Sequence, residues 1–187
     1  MIPAPLATPR LRLERLRETD VDAVFEACQD PELQRFVPVP SPYERSAAEY
    51  FVGAYGREAE SSDEFTVWGI RDAATDELVG AAELRFEPVA AASLGFWLAP
   101  PHRGRGLMTE AARRVTAHGL DDLGLRRIGW EARAGNIASA LVAQRAGYRF
   151  EGETRLGSVF RGERVDGWHA AILDTDERTS VPWPVLR

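Results

Sequence analysis

The sequence contains no lysine; all 23 of its basic residues are arginine, set against 29 acidic residues. That absence excludes a Schiff-base lysine, a pyridoxal-phosphate anchor and the lysine of a phosphate-binding P-loop. There is one cysteine, Cys28, so no intrachain disulfide can form, and a reducing compartment is expected. The three histidines, His102, His118 and His169, stand far apart without cysteine or histidine partners at ligand spacing, so no metal is expected. No apolar run approaches the ~20 residues that span a bilayer, and no basic-then-apolar leader follows Met1. The expectation is a cytoplasmic protein with no membrane partner. A net charge of −6 argues against nucleic acid as a partner, because neutralising phosphates takes a basic face.

What remains is a globular chain of 187 residues with 44% hydrophobic and 28% charged residues, enough for one domain with a real core. The segment 10–17 alternates leucine with arginine and reads as a half-buried strand. Thr19 or Asp20 caps a short helix through Cys28. The Pro-rich segment 31–44 reads as irregular, and Ser46 with Glu49 forms a capping-box pattern that opens a helix. Segments 64–70 and 77–86 read as a hairpin. The third strand, 92–99, is apolar enough to be buried on both faces. A helix follows from about Leu107 to Leu120, with an apolar stripe of Met108, Ala112, Val115, Gly119 and Leu123. Next come a strand at 126–132, a helix capped by Asn136 and ended by Gly147, and two strands at 148–157 and 164–173. This order predicts a single α/β (α+β) domain over 1–187, with its core at about 8–175 and a loose tail, 176–187, pinned by Trp183.

The junction "FWLAPPHRGRGLMTEA" carries the first chemical signal. Glycines before a helix let backbone N–H groups approach a ligand closely, and the first helical turn has unpaired N–H groups that suit an anion. Arg103 and Arg105 add charge. Pro100 and Pro101 cannot donate to a ladder, so strand pairing is expected to stop there, leaving a free edge for an extended, amide-bearing ligand. A dinucleotide-binding loop fits poorly, because its third glycine is missing. The second signal is "NIASALVAQRAGYRFEG", where Asn136 and Ser139 share the first helical turn.

These two stretches, with "TPRLRLERLRETDVDAVF" before them and "RVDGWHAAIL" after, resemble the GCN5-related N-acetyltransferase (GNAT) superfamily over about residues 8 to 175. The match is nearest to its RimJ/RimL-like ribosomal-protein N-terminal acetyltransferase branch. The resemblance implies a mixed, mostly antiparallel sheet of about seven strands, splayed near Ala99–Pro100, with helices on both faces. It implies acetyl-CoA as co-substrate, with the pyrophosphate on Arg103, Gly104, Arg105, Gly106, Leu107, Met108 and Thr109. The pantetheine arm would run along Phe96, Trp97, Leu98 and Ala99, with Asn136 on the pantetheine and Arg145 near the adenosine phosphate. The Leu98 amide would polarise the thioester carbonyl, and Ser139 would serve the leaving thiolate.

Two positions depart from the pattern. A tyrosine common in the superfamily is replaced by Ala143, which adds weight to Ser139. The glutamate that serves a ribosomal member as base is replaced by Ser158. Glu83, Asp166 and Glu131 are the strand-borne substitutes for that base, with His169 beside them. The expected activity is direct transfer of an acetyl group to a primary amine, on a protein N-terminus or a small molecule, by a monomer or homodimer. The alternative is a non-catalytic acyl-CoA-sensing module of the same fold.

Overall fold

The computed structural model describes residues 4–186. Its frame is one eight-stranded sheet in the order β1-β2-β3-β4-β5-β6-β8-β7. The strands are β1 (Leu6–Ala7), β2 (Leu11–Glu14), β3 (Phe65–Asp72), β4 (Leu78–Glu87), β5 (Ala91–Leu98), β6 (Arg127–Arg133), β7 (Arg149–Phe160) and β8 (Glu163–Leu173). Every neighbouring pair is antiparallel except β5 and β6. The sequence pattern had missed β1, which is only two residues long.

The strand buried throughout is β3, whose residues from Phe65 to Arg71 are all buried. The apolar composition of β5 predicts that role for it instead, yet Gly95 there is exposed and Phe96, Trp97 and Leu98 are half-buried. The reason is topological: β3 lies well inside the sheet, whereas β5 borders a gap.

Helices cover both faces. On one face lie α1 (Val21–Ala27), α2 (Pro31–Phe36), α3 (Arg45–Tyr50) and α4 (Gly56–Ser61). A wide turn, Phe51–Tyr55, joins the last two into one continuous helical segment. Leu33, Tyr43, Val52 and Leu78 pack together there. On the other face, α5 (Leu107–Ala117) and α6 (Ile137–Ala146) cover the larger core of Trp68, Leu84, Val115, Ile128 and Tyr148.

Several local expectations change. The segment 31–44 is not wholly irregular: Asp30 caps α2 by accepting from the Leu33 N–H at 3.0 Å, and Pro31 fits the first turn, where its missing N–H costs nothing. No Ser46–Glu49 capping box forms, because α3 already begins at Arg45. Leu123, assigned to the apolar stripe of α5, lies beyond the helix end and is exposed. The tail is held rather than loose. Trp183 is 1% exposed and donates its indole N–H to the Tyr148 carbonyl at 3.1 Å, while Arg178 pairs with Asp121.

Candidate active site

Between β5 and β6 the parallel pairing covers only Ala91–Ser93 against Arg127–Gly129. Beyond Ser93 the two strands part, and β6 continues on β8 alone. The splay therefore begins six residues before the prolines, and they do not cause it. On its other side β5 stays paired with β4 through Gly80↔Leu98, and the Ala99 N–H still donates to the Val79 carbonyl at 2.8 Å. Pro100 and Pro101 enter a short 3-10 turn instead.

The ladder fixes which backbone groups face the gap. Antiparallel pairs alternate between those that exchange hydrogen bonds and those that do not. Because Ala99 bonds to Val79, the pairs Trp97↔Ala81 and Gly95↔Glu83 exchange bonds, while Leu98↔Gly80 and Phe96↔Ala82 do not. Phe96 and Leu98 thus aim their N–H and C=O groups at the gap. The Leu98 carbonyl already accepts from Arg103 Nε at 3.1 Å. The backbones of Trp97 and Ala99, named alongside them in the sequence reading, are spent on β4 and on the 3-10 turn. Trp97 offers its side chain to the cavity wall instead, tilted against Phe51 with ring centroids 6.5 Å apart.

At the mouth of the gap, Gly104 and Gly106 both have φ of +74°, and Gly106 immediately precedes α5. A Cβ at Gly104 would meet nothing within 4 Å, so backbone conformation demands the glycine and space does not. No side chain caps α5, which leaves the N–H groups of its first turn directed at the cavity. Leu107 and Met108 bury their side chains in the core, and both residues line the cavity together with Thr109.

Of the three arginines, Arg103 and Arg145 line the cavity. Arg103 is held by Asp30 at 2.5 Å and by Glu32 at 3.6 Å, so it ties the loop to α2. Burial pushes the Asp30 carboxyl up, but hydrogen bonds from Arg103 and Leu33 outweigh it and hold the group below the usual carboxylate range. Arg105 is exposed and does not line the cavity, although its carbonyl accepts from Arg10. Arg145 is exposed on the cavity rim.

The cavity itself has a volume of about 290 Å³, running from α2 past Leu98 to the first turn of α6. The contribution of α2 escaped the sequence reading, since a Pro-rich stretch carries no helical period. Asn136 caps α6 by accepting from the Ser139 N–H at 3.2 Å. Ser139 Oγ in turn accepts from the Trp130 indole N–H at 3.0 Å, which leaves the hydroxyl proton free to donate into the cavity. Trp130 was not anticipated; an aromatic on a strand ordinarily reads as core.

The candidate bases are dispersed. Glu83 is bound by the Tyr55 hydroxyl and by Arg85 at 3.0 Å. Asp166 is exposed and accepts from the Leu156 N–H at 2.7 Å, holding the bulge of β7 on the face opposite His169. Glu131 and His169 face each other across β6 and β8. Among the described residues no cluster of histidine, cysteine or acidic side chains could hold a metal, and no helix is long and apolar enough to cross a membrane.

A sheet splayed between two parallel strands, with an uncapped helix starting at the mouth of the gap, defines the class: this is an acetyltransferase fold. The chain belongs to the GNAT family, whose acetyltransferase (GNAT) domain model matches residues 10–149. It is 32% identical over 127 residues to the probable N-acetyltransferase YjcK of Bacillus subtilis, covering 66% of this chain and 69% of the relative. It is 35% identical over 103 residues to the ribosomal-protein-serine acetyltransferase of Escherichia coli, covering 54% of this chain and 58% of that one. Among solved structures, the ribosomal alpha-N-protein acetyltransferase RimL in complex with coenzyme A superposes with a TM-score of 0.80 at 22% identity, over 92% of this chain and all of the other. Its relatives thus include RimJ/RimL-like ribosomal-protein acetyltransferases.

Proposed function

We propose that the protein transfers an acetyl group from acetyl-CoA directly to a primary amine, carried on a polypeptide N-terminus or on a small molecule. The observation that carries this reading is the free edge of β5, where Phe96 and Leu98 present backbone groups beside an uncapped helix start. Three parts of the donor have matching chemistry there. The amides of the pantetheine arm complete the ladder of β5. The diphosphate meets the N–H groups of residues 104–109, and the cavity wall of Phe96, Leu98 and Val142 accepts the apolar stem.

The roles of the residues follow from their positions. The Leu98 N–H donates to the thioester oxygen as negative charge develops on it, an interaction whose loss typically costs about 10²–10³ in rate. The Ser139 hydroxyl, its oxygen held by Trp130, donates to the departing sulfur. Asn136 fixes the first turn of α6, on which Ser139 stands. Cys28 has no part in the chemistry. It is 2% exposed at the C-terminal end of α1, and burial pushes its thiol up to about 11, so it supplies no thiolate for an acetyl-enzyme intermediate.

The test is thiol release from acetyl-CoA with short peptides and with aliphatic polyamines as acceptors. Ser139→Ala is expected to lower kcat about 10–100-fold and leave the affinity for acetyl-CoA within about twofold. Binding of acetyl-CoA without thiol release for any amine would instead favour a sensing module.

A further inference from the structure

The strand register places four residues at one level across the sheet. Glu83 on β4 opposes Gly95 on β5, and Glu131 on β6 opposes His169 on β8. The last bridge between β5 and β6 is Ser93↔Gly129, so the gap opens between Gly95 and Glu131, two residues further along. Gly95 contributes no side chain, and a Cβ built there would meet nothing within 4 Å. The result is an open floor with a carboxylate on either side.

The two carboxylates are not equivalent. Glu83 is occupied by the Tyr55 hydroxyl and neutralised by Arg85. On Glu131, by contrast, no arginine lies within ion-pair distance among the described residues. One of its oxygens accepts from Ser158 Oγ, and the other lies 3.9 Å from His169 Nδ1. Its side chain is 52% exposed, open to an incoming ligand. The cluster is itself built. Thr154 Oγ1 and His169 Nε2 are hydrogen-bonded at 2.7 Å, which fixes the imidazole. Gly167 beneath them makes room, since a Cβ there would come within 2.1 Å of Ser158 Oγ and 3.2 Å of His169 Nε2.

Consecutive residues of a strand point to opposite faces. Trp130 holds Ser139 on the face covered by α5 and α6, so Glu131, the next residue, projects from the other face of the same gap. A hydroxyl donor and a carboxylate acceptor thus flank the gap from opposite sides of the sheet.

We propose that Glu131 is the base that receives the proton of the acceptor ammonium, with Ser158 and His169 as positioning residues. This rests on the transfer reading above and names the acceptor as a cationic amine that enters over Gly95. The ammonium gives one proton to the Glu131 carboxylate, and the neutral amine attacks the thioester carbon. As the C–N bond forms and the C–S bond breaks, the sulfur takes the Ser139 proton. The nitrogen's second proton restores the Ser139 hydroxyl through solvent, and Glu131 returns its own to solvent, so one proton is released per turnover. Around Glu131 stand His169 from β8, Ser158, Thr154 and Glu151 from β7, Arg133 on its own strand, and Glu83, Arg85 and Tyr55 across the gap.

The test uses the full chain, acetyl-CoA and an amine that the wild-type protein accepts, drawn from peptides with free N-termini and aliphatic polyamines. Glu131→Gln is expected to lower kcat/KM about 100-fold at neutral pH. The deficit should shrink as pH rises past the acceptor's own pKa, about 8 for an α-amine and about 10 for an aliphatic one, where the amine arrives already neutral. Melting temperature, and acetyl-CoA affinity read by tryptophan fluorescence, should not move. Adding Ser158→Glu to Glu131→Gln is expected to recover at least about tenfold of the loss, since residue 158 touches the position of the Glu131 carboxylate. If the double variant does not fold, the pH profile of Glu131→Gln decides alone. A Glu131→Gln rate within about threefold of wild type, or a loss of the same size at every pH, would overturn this inference and leave the transfer reading intact. Absence of thiol release by the wild-type protein with every amine would overturn both.

Discussion

At the scale of single residues, the molecule separates charges that hold the fold from charges left available. Asp20 and Arg71 are each 4% exposed and meet through two contacts of 2.6 Å, and Asp20 also accepts from the Arg17 N–H at 2.7 Å. This buried pair pins the turn before α1 to β3. Removing one partner of such a pair strands the other, which costs about 3–5 kcal/mol. Asp20→Ala is therefore expected to lower the melting temperature by about 10 °C in a domain of this size, as followed by circular dichroism. A drop under about 2 °C would mean that solvent reaches Arg71. Glu131 represents the opposite case, since its contacts are to a hydroxyl and an imidazole and leave its charge exposed. Both kinds of residue look alike in a sequence, and only the register distinguishes them.

At the scale of elements, much of the site was legible because glycine and capping residues act locally. Gly106, Asn136 and Gly147 sit at helix ends and Gly104 in the loop before α5, where they were expected, with φ of +102° at Gly147 closing α6. The origin of the splay was not legible. Pro100 and Pro101 suggested it, yet the strands part after Ser93, while β6 stays paired with β8 along its whole length. Pairing partners lie some 35 to 45 residues away along the chain, and no local pattern encodes them. The helix α2 was missed for a related reason: six residues between prolines are too few to show a period. The backbone reading of the loop makes its own prediction. Gly104→Ala meets no atom but must hold φ of +74°, a strain of about 1 kcal/mol. The variant is expected to weaken acetyl-CoA binding several-fold as its loop relaxes, while the melting temperature falls only about 2–4 °C. Unchanged affinity by calorimetry would show that the loop amides do not meet the ligand.

At the scale of the whole molecule, the sheet divides the labour of its two faces. The core of Trp68, Val115 and Tyr148 lies under α5 and α6, the helices whose first turns border the cavity. The smaller cluster of Leu33, Tyr43 and Val52 lies under α1 to α4, on the face where Glu83, Glu131 and His169 stand. A donor approaching along the β5 edge and an acceptor approaching over Gly95 would meet in the gap without competing for space. A crystal structure with bound acetyl-CoA tests that arrangement most directly. The pantetheine amides should be paired with Phe96 and Leu98, the diphosphate should lie on the N–H groups of residues 104–109, and the thioester oxygen should lie about 3 Å from the Leu98 N–H. Acetyl-CoA bound away from the β5 edge, or with its thioester out of reach of Leu98, would contradict it.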